Sequence, residues 1–265
     1  MKKFIMNIIN KIKNFNYKDY FKNNILFLTF VLSTLINGCL LRFLTVKNYF
    51  AIRPILGDLA LIIILGSFNY LFKPKNRFKY LLTLSIVFVA ICVINSMYYT
   101  NYLSFGSFSL LATSLQIVDV GDAVVENIME LKDFSYIWQL FALIFIYVTT
   151  DLKKTSASKG KGNKKLFKNT LISGISFLVI FLFTLTPTDI GRFLKQWNRE
   201  YIVMRYGIYT YQINDLVTSL SPKIHSMFGY DSNAKVFREY YEENKEEKKT
   251  NQYTDIFKGK NVIVI

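Results

Sequence analysis

The sequence predicts an all-α membrane protein with five transmembrane helices and an external amphipathic helix beside the membrane. Two observations carry this prediction. Hydrophobic residues make up 52% of the 265 residues, more than is usual for a soluble domain, and they are gathered into runs that can cross roughly 30 Å of hydrocarbon. The chain is also basic, with a net charge of +15. This composition excludes a disordered chain, a disulfide scaffold and a soluble nucleic-acid-binding module.

Five apolar runs approach the length of about 17–25 residues that a spanning helix needs. Apart from Arg42 near its end, only small or weakly polar side chains interrupt the first run. Pro54 precedes the second run, and the fourth run is short. All five have aromatic residues at or near their ends, which suits the membrane interface. The runs are residues 25–44, 55–72, 80–99, 136–150 and 166–185, so the predicted transmembrane domain is 25–185.

The loops predict the orientation, because Lys and Arg resist translocation. The leader (residues 1–24) and the loops after the second and fourth spans hold 17 of the 33 basic residues and only Asp19 and Asp151 as acids. These segments are expected in the cytoplasm, and the C-terminus outside the cell. The leader also has an apolar stripe, typical either of an interfacial helix or of a topology signal alone.

Ionisable residues near the hydrocarbon suggest a first candidate site. Arg42 and Asp58 are both expected near the outer ends of their spans, and Arg53 is close in sequence. Three interpretations are open: an Arg42–Asp58 ion pair, a site for a lipid headgroup or polar substrate, and snorkelling to the interface. Cys39 and Cys92 lie inside predicted spans and indicate neither a disulfide nor a metal site.

Two outer segments carry charge. In the loop 101–135, Asp119, Asp122 and Glu126 match no known cation-binding loop, so we expect a solvated helix face. The segment 186–256 is predicted to be a juxtamembrane helix followed by a linker. Its interleaved cations and aromatic residue suggest contact with lipid or an anionic polymer, with snorkelling as the alternative. The candidate residues are Arg192, Lys195, Trp197 and Arg199.

The last segment, residues 257–265, has the pattern of a buried parallel strand. Such a strand needs partner strands to satisfy its backbone groups, so we expect a sheet domain to follow. No constellation of catalytic or metal-ligating residues is evident in the sequence. We therefore expect any catalytic residues to lie beyond Ile265.

Several stretches resemble the lipoteichoic acid synthase family. They are WNREYIV at 197–203, YGIYTYQ at 206–212, GKNVIVI at 259–265, and the loop from YYTNY at 98–102 to VGD at 120–122. The resemblance covers nearly the whole chain, and its most specific parts are 197–211 and the closing strand.

This resemblance implies a membrane-anchored phosphoglycerol transferase whose external domain has an α/β sulfatase-like fold. Such an enzyme transfers glycerol phosphate from phosphatidylglycerol to a lipid-anchored polymer. The resemblance places a threonine nucleophile and the ligands of a Mn²⁺ ion in that external domain, so it gives this chain no catalytic residue and no cofactor. Expected partners are membrane lipids, phosphatidylglycerol and the glycerol-phosphate polymer, with no nucleic acid.

Two other classes of function compete with an enzyme anchor. A non-catalytic scaffold or sensor would use the acidic outer loop to recruit a partner. A transporter or flippase would need polar residues along a pathway at mid-membrane or span-scale repeats, and the sequence shows neither.

Overall fold

The computed structural model describes residues 17–47, 51–108, 129–150, 162–195, 198–227 and 232–245. Every regular element within these ranges is helical, which confirms the predicted all-α class. The chain divides into two compact units, Met1–Ser219 and Leu220–Ile265. The first unit contains the membrane helices.

Five helical segments are long and apolar enough to cross a membrane, as predicted. They contain helices α1 (Tyr17–Leu44), α2 (Ile52–Ser67) with the 3-10 turn Phe68–Leu71, α3 (Pro74–Tyr102), the 3-10 helix Leu131–Ile137 with α4 (Trp138–Thr149), and α5 (Lys164–Phe183).

Several observed boundaries differ from the predicted ones, and two of the differences have a clear local cause. Helix α3 starts at Pro74 rather than near residue 80, because proline suits the first turn of a helix. Its 29 residues are about 44 Å long, so its first turns extend past the hydrocarbon. The fourth span is longer than predicted because the 3-10 helix Leu131–Ile137 precedes α4, and a capping box between Glu130 and Asp133 starts it.

Glycines bring the spans close together. A Cβ on Gly174 of α5 would lie 2.8 Å from Ile64 Cγ1 of α2, and one on Gly66 of α2 would lie 2.9 Å from the Phe27 and Phe30 rings of α1. Without a hydrophobic driving force inside lipid, such close van der Waals packing is what holds spans together. Helix α2 is therefore held between α1 and α5.

Buried amides join the first and fourth spans. Asn37 Nδ2 donates to Tyr136 O (2.9 Å) and to Gln139 Oε1 (2.8 Å). Gln139 Nε2 donates to Thr34 Oγ1 (2.8 Å), and Trp138 Nε1 donates to Asn37 Oδ1 (2.7 Å). Hydrogen bonds between side chains on different helices stabilise a membrane bundle by about 1 kcal/mol each.

One end of the bundle gathers the start of α1, the turn between α2 and α3, and the start of α5. Tyr70 Oη donates to Asn24 Oδ1 (2.6 Å), the Arg77 guanidinium lies 5.4 Å from the Tyr70 ring centre, and Asn163 N donates to Tyr70 O (2.7 Å). The three basic segments of the sequence adjoin these residues. The described ends of the three segments therefore lie on one side of the bundle, as five alternating spans require.

The chain after α5 forms three helices where the sequence predicted one. They are α6 (Pro187–Leu194), α7 (Arg199–Tyr206) and α8 (Ile208–Met227). A continuous helix is not possible because Gly207 has a φ of +95°. The inner faces of α7 and α8 are also buried in the protein, with Ile202, Val203 and Tyr209 fully inaccessible. The single helix predicted for this segment is therefore divided, and α7 and α8 are partly buried; contact of the segment with the membrane surface stays a prediction.

In the second unit the structure describes helix α9 (Ser232–Glu243), an exposed helix with an ion pair of 3.8 Å between Lys235 and Glu239. Several predictions lie outside the described residues: the leader's stripe, the acidic helix face with Asp119, Asp122 and Glu126, the residue Trp197, and the closing strand 257–265.

Candidate functional site at the linker junction

The linker junction is the place where residues 207–212 enter the end of the bundle, and Asp58 of α2 is at its centre. The Asp58 side chain is 1% exposed. Its carboxylate accepts hydrogen bonds from three successive backbone N–H groups, of Ile208 (3.2 Å), Tyr209 (3.0 Å) and Thr210 (3.3 Å). These are the N–H groups that a helix leaves unpaired in its first turn. Asp58 thus caps α8 from a position 150 residues earlier in the chain.

Glycines allow this close approach. A Cβ on Gly207 would overlap the Asp58 carboxyl group, and the positive φ there already disfavours other residues. On the other side, a Cβ on Gly57 would overlap Tyr206 O and lie 3.2 Å from the Phe181 ring. Neither position therefore has room for a side chain.

Arg42 does not pair directly with Asp58. The guanidinium is fully buried, with Nε donating to Gly38 O (3.3 Å) and Nη2 to Cys39 Sγ (3.3 Å). Its positive charge still acts on the Asp58 carboxylate electrostatically. The direct ion pair and snorkelling are both incorrect for Arg42, because the Asp58 oxygens face the start of α8 and the guanidinium stays inside the protein.

The first turns of α8 insert between α1 and α3. Tyr209 is fully buried; its hydroxyl donates to Thr34 O (3.0 Å) and lies 3.3 Å from Cys92 Sγ. Gln212 Nε2, one turn later, donates to Asn95 Oδ1 (3.1 Å). The buried polar side chains of Tyr209 and Gln212 are therefore bonded within the bundle, as burial requires.

The turn after α3 closes over the same segment. Tyr211 Oη and Gln212 Nε2 both donate to Gly106 O at 3.1 Å, while Gly106 N donates to Asn95 Oδ1 (3.0 Å). Phe108 N donates to Asp215 Oδ2 (2.6 Å). Residues 207–215 are thus packed into the structure as tightly as the spans themselves.

The sequence comparisons assign this architecture to a family. The family model of the lipoteichoic acid synthase N-terminal domain matches residues 1–227. The chain belongs to this family. The matched region contains all five spans and ends with α8, so the synthase N-terminal domain includes the linker helices as well as the membrane helices. Comparisons with curated proteins and with solved structures gave no match.

The candidate cations of the synthase N-terminal domain have different surroundings in the structure. Arg192 Cζ lies 4.9 Å from the Tyr201 ring centre, and Arg199 Nη1 donates to Phe105 O (3.3 Å). Lys195 is exposed at the end of α6. Arg199 therefore helps to hold the turn after α3, a role that the sequence did not suggest. Lipid contact by Arg192, Lys195, Trp197 and Arg199 stays a prediction.

A second carboxylate, Asp189, joins α6 to α7. It accepts from Thr186 N (2.9 Å), Thr186 Oγ1 (2.9 Å), Arg205 Nε (3.1 Å) and the Tyr201 hydroxyl. Burial alone would raise the pKa of Asp189, but these donors together hold that pKa well below its usual range. Burial, followed by the negative charge of Asp189, raises the pKa of Tyr206 to about 12.

The depressed pKa of Asp189 predicts a pH dependence. A carboxyl group that ionises more readily in the folded state stabilises the fold above its unfolded-state pKa of about 3.9, and this stabilisation is lost as pH falls towards the lower folded-state pKa. The melting temperature of wild type should thus exceed that of Asp189→Asn by a constant margin above about pH 5, and by less below about pH 4. Circular dichroism melts in detergent measure this margin. A difference in melting temperature that grows on acidification would contradict the lowered pKa of Asp189. Glu239→Gln, which changes an exposed carboxylate, is the control and should show no such pH-dependent difference from wild type.

No three His, Cys, Asp or Glu side chains come together as a metal site in the part of the chain that the structure describes. The family resemblance places the ligands of the Mn²⁺ ion in the external domain, and that placement stays a prediction.

Proposed function

We propose that this chain is the membrane-anchoring part of a lipoteichoic acid synthase-like enzyme, which transfers glycerol phosphate from phosphatidylglycerol to a lipid-anchored polymer of the cell envelope. The match of the synthase N-terminal domain to residues 1–227 carries this proposal. In the whole enzyme, a sulfatase-like domain would supply the nucleophile and the metal ligands.

The linker junction supports an anchoring role. Because Asp58, Asn95 and Gly106 hold the start of α8, the chain leaves the bundle from a fixed point. A domain that follows such a point is kept at the membrane, where a substrate with acyl chains is confined to the same surface. Tethering of this kind raises the effective concentration of substrate without any new contact.

The buried polar residues favour an anchor over a transporter. Asn37, Gln139, Thr34 and Trp138 are bonded to one another between the first and fourth spans. Residues that line a transport pathway must instead exchange their partners with a substrate or ion. This closed network supports a static bundle.

The enzyme proposal is tested by depleting the gene product in its native host and measuring the glycerol-phosphate polymer in cell extracts. We expect the polymer to be lost and then restored by wild-type protein expressed in trans. If the polymer persists at its normal amount in depleted cells, the proposal is wrong. A scaffold or sensor would then be the remaining interpretation, and crosslinking through Glu126 would identify its partner.

We propose that the N-terminus is cytoplasmic and that the linker junction faces outside. The three basic segments that adjoin one end of the bundle support this orientation. In intact cells, a membrane-impermeant maleimide should label Lys195→Cys and leave Ser156→Cys unlabelled. Wild type, whose two cysteines lie in the spans, is the control for background. Labelling of Ser156→Cys alone would reverse the orientation.

A further inference from the structure

A cavity of about 520 Å³ lies beside the linker junction, between the start of α2 and helix α7. One wall comes from the first turn of α2, the other from one face of α7. The lining residues are Ala51, Ile52, Arg53, Pro54, Tyr201, Met204 and Arg205. Nothing in the proposed anchoring role requires this cavity.

Two guanidinium groups give the cavity an excess of positive charge. Arg53 Nη1 is buried from solvent and has no hydrogen-bond partner among the described residues. Arg205 donates only its Nε to Asp189, at 3.1 Å, within the part of the chain that the structure describes. Since Thr186 and Tyr201 also donate to Asp189, that single carboxylate is shared among several donors and does not balance both arginines.

The N-terminus of α2 adds to this positive potential. Its N-cap residue, Ala51, has no side chain that can cap the helix, and the first turn has no acidic residue. The unpaired N–H groups and the helix dipole make such a terminus favourable for an anion. Two arginines and an uncapped helix start therefore line the same cavity, and a buried donor with no partner costs stability unless a ligand completes it.

We propose that this cavity binds the phosphodiester group of an anionic phospholipid. Guanidinium groups bind phosphate oxygens through paired hydrogen bonds. The cavity lies where the apolar run of the second span begins, at the level expected for headgroups, and Ile52 beside it is 71% exposed, as an acyl-chain contact requires. A zwitterionic headgroup fits less well, because its own cation would face the arginines. This inference concerns binding alone and does not depend on the proposed enzymatic function.

Native mass spectrometry of the purified chain, titrated separately with phosphatidylglycerol and phosphatidylcholine, tests the proposal. For Arg53→Gln we expect the apparent Kd for phosphatidylglycerol to rise about tenfold, the effect of losing a charge-assisted hydrogen bond, with little change for phosphatidylcholine. Arg53→Lys keeps the charge but loses the paired geometry, so it should show a smaller rise.

Lys47→Gln is the matched control, because it removes one positive charge from the exposed turn after α1, at the same end of the bundle, and Lys47 does not line the cavity. It should change the Kd less than about twofold. The proposal is overturned if Arg53→Gln binds phosphatidylglycerol like wild type, or if both lipids lose affinity equally. Glycerol 3-phosphate should not displace the lipid; displacement would show that a soluble phosphate, rather than a phospholipid, is the ligand. A melting temperature close to that of wild type confirms that each variant is folded.

Discussion

Replacing Asp58 by alanine is expected to destabilise the protein by about 3 kcal/mol, the largest loss we expect from a single polar residue. The substitution leaves the three N–H groups of Ile208, Tyr209 and Thr210 buried without an acceptor. It also leaves the fully buried charge of Arg42 without its compensating carboxylate. Each of these changes removes a partner from a desolvated group, which costs far more than the net value of one hydrogen bond.

Thermal unfolding in detergent, followed by circular dichroism, measures this loss as a fall in melting temperature of roughly 5–10 °C. Asp58→Asn keeps one acceptor oxygen and should fall by less. Removal of an exposed carboxylate by Glu239→Ala is the control, with a change below about 0.5 kcal/mol. If Asp58→Ala melts together with this control, Asp58 does not cap α8.

Replacing Gly207 by alanine should destabilise the protein by a similar amount, because it disturbs the same contact between Asp58 and the start of α8. The new Cβ would overlap the Asp58 carboxyl group at a residue whose φ is +95°. A positive φ at a non-glycine residue costs about 1–3 kcal/mol by itself, and the overlap forces the carboxylate away from the N–H groups that it caps. We therefore expect a loss of at least about 2 kcal/mol in the same melting experiment.

Gly191→Ala is the matched control for this substitution. A Cβ at Gly191, in helix α6, would meet no atom within 4 Å. Because alanine favours a helix over glycine by about 1 kcal/mol, this variant should melt at or slightly above the wild-type temperature. Equal losses for both variants would indicate a general intolerance of the linker helices, and would remove the special role of Gly207.

The membrane helices can be predicted from the sequence because each span depends only on the residues of its own segment. Each span needs enough consecutive apolar residues to cross the hydrocarbon, and that property is read directly from a run such as 25–44. The boundary at Pro74 was missed because the first turns of α3 are basic and extend beyond the apolar run. In the fourth span, residues 131–135 were missed because their apolar character is weak.

The linker junction could not be predicted because its conformation depends on a contact between segments that are far apart in the sequence. The helical pattern of 190–220 does not reveal a break at Gly207, since that conformation depends on a carboxylate in the second span. The sequence singled out Arg42 and Asp58 as costly residues near one end, but the direct ion pair, one of its three interpretations, does not form because Asp58 faces the start of α8. Two features of the sequence could have indicated the junction. One is the glycine in YGIYTYQ, and the other is the pair of amides Asn95 and Gln212, which need hydrogen-bond partners when they are buried.

Hydrogen exchange of the backbone amides of Ile208, Tyr209 and Thr210, measured by mass spectrometry in lipid nanodiscs, tests most directly whether the linker begins inside the bundle. If Asp58 accepts from these amides, they should exchange as slowly as those in the middle of α2, and faster in Asp58→Ala. Exchange as fast as in the exposed helix α9 would contradict a docked linker.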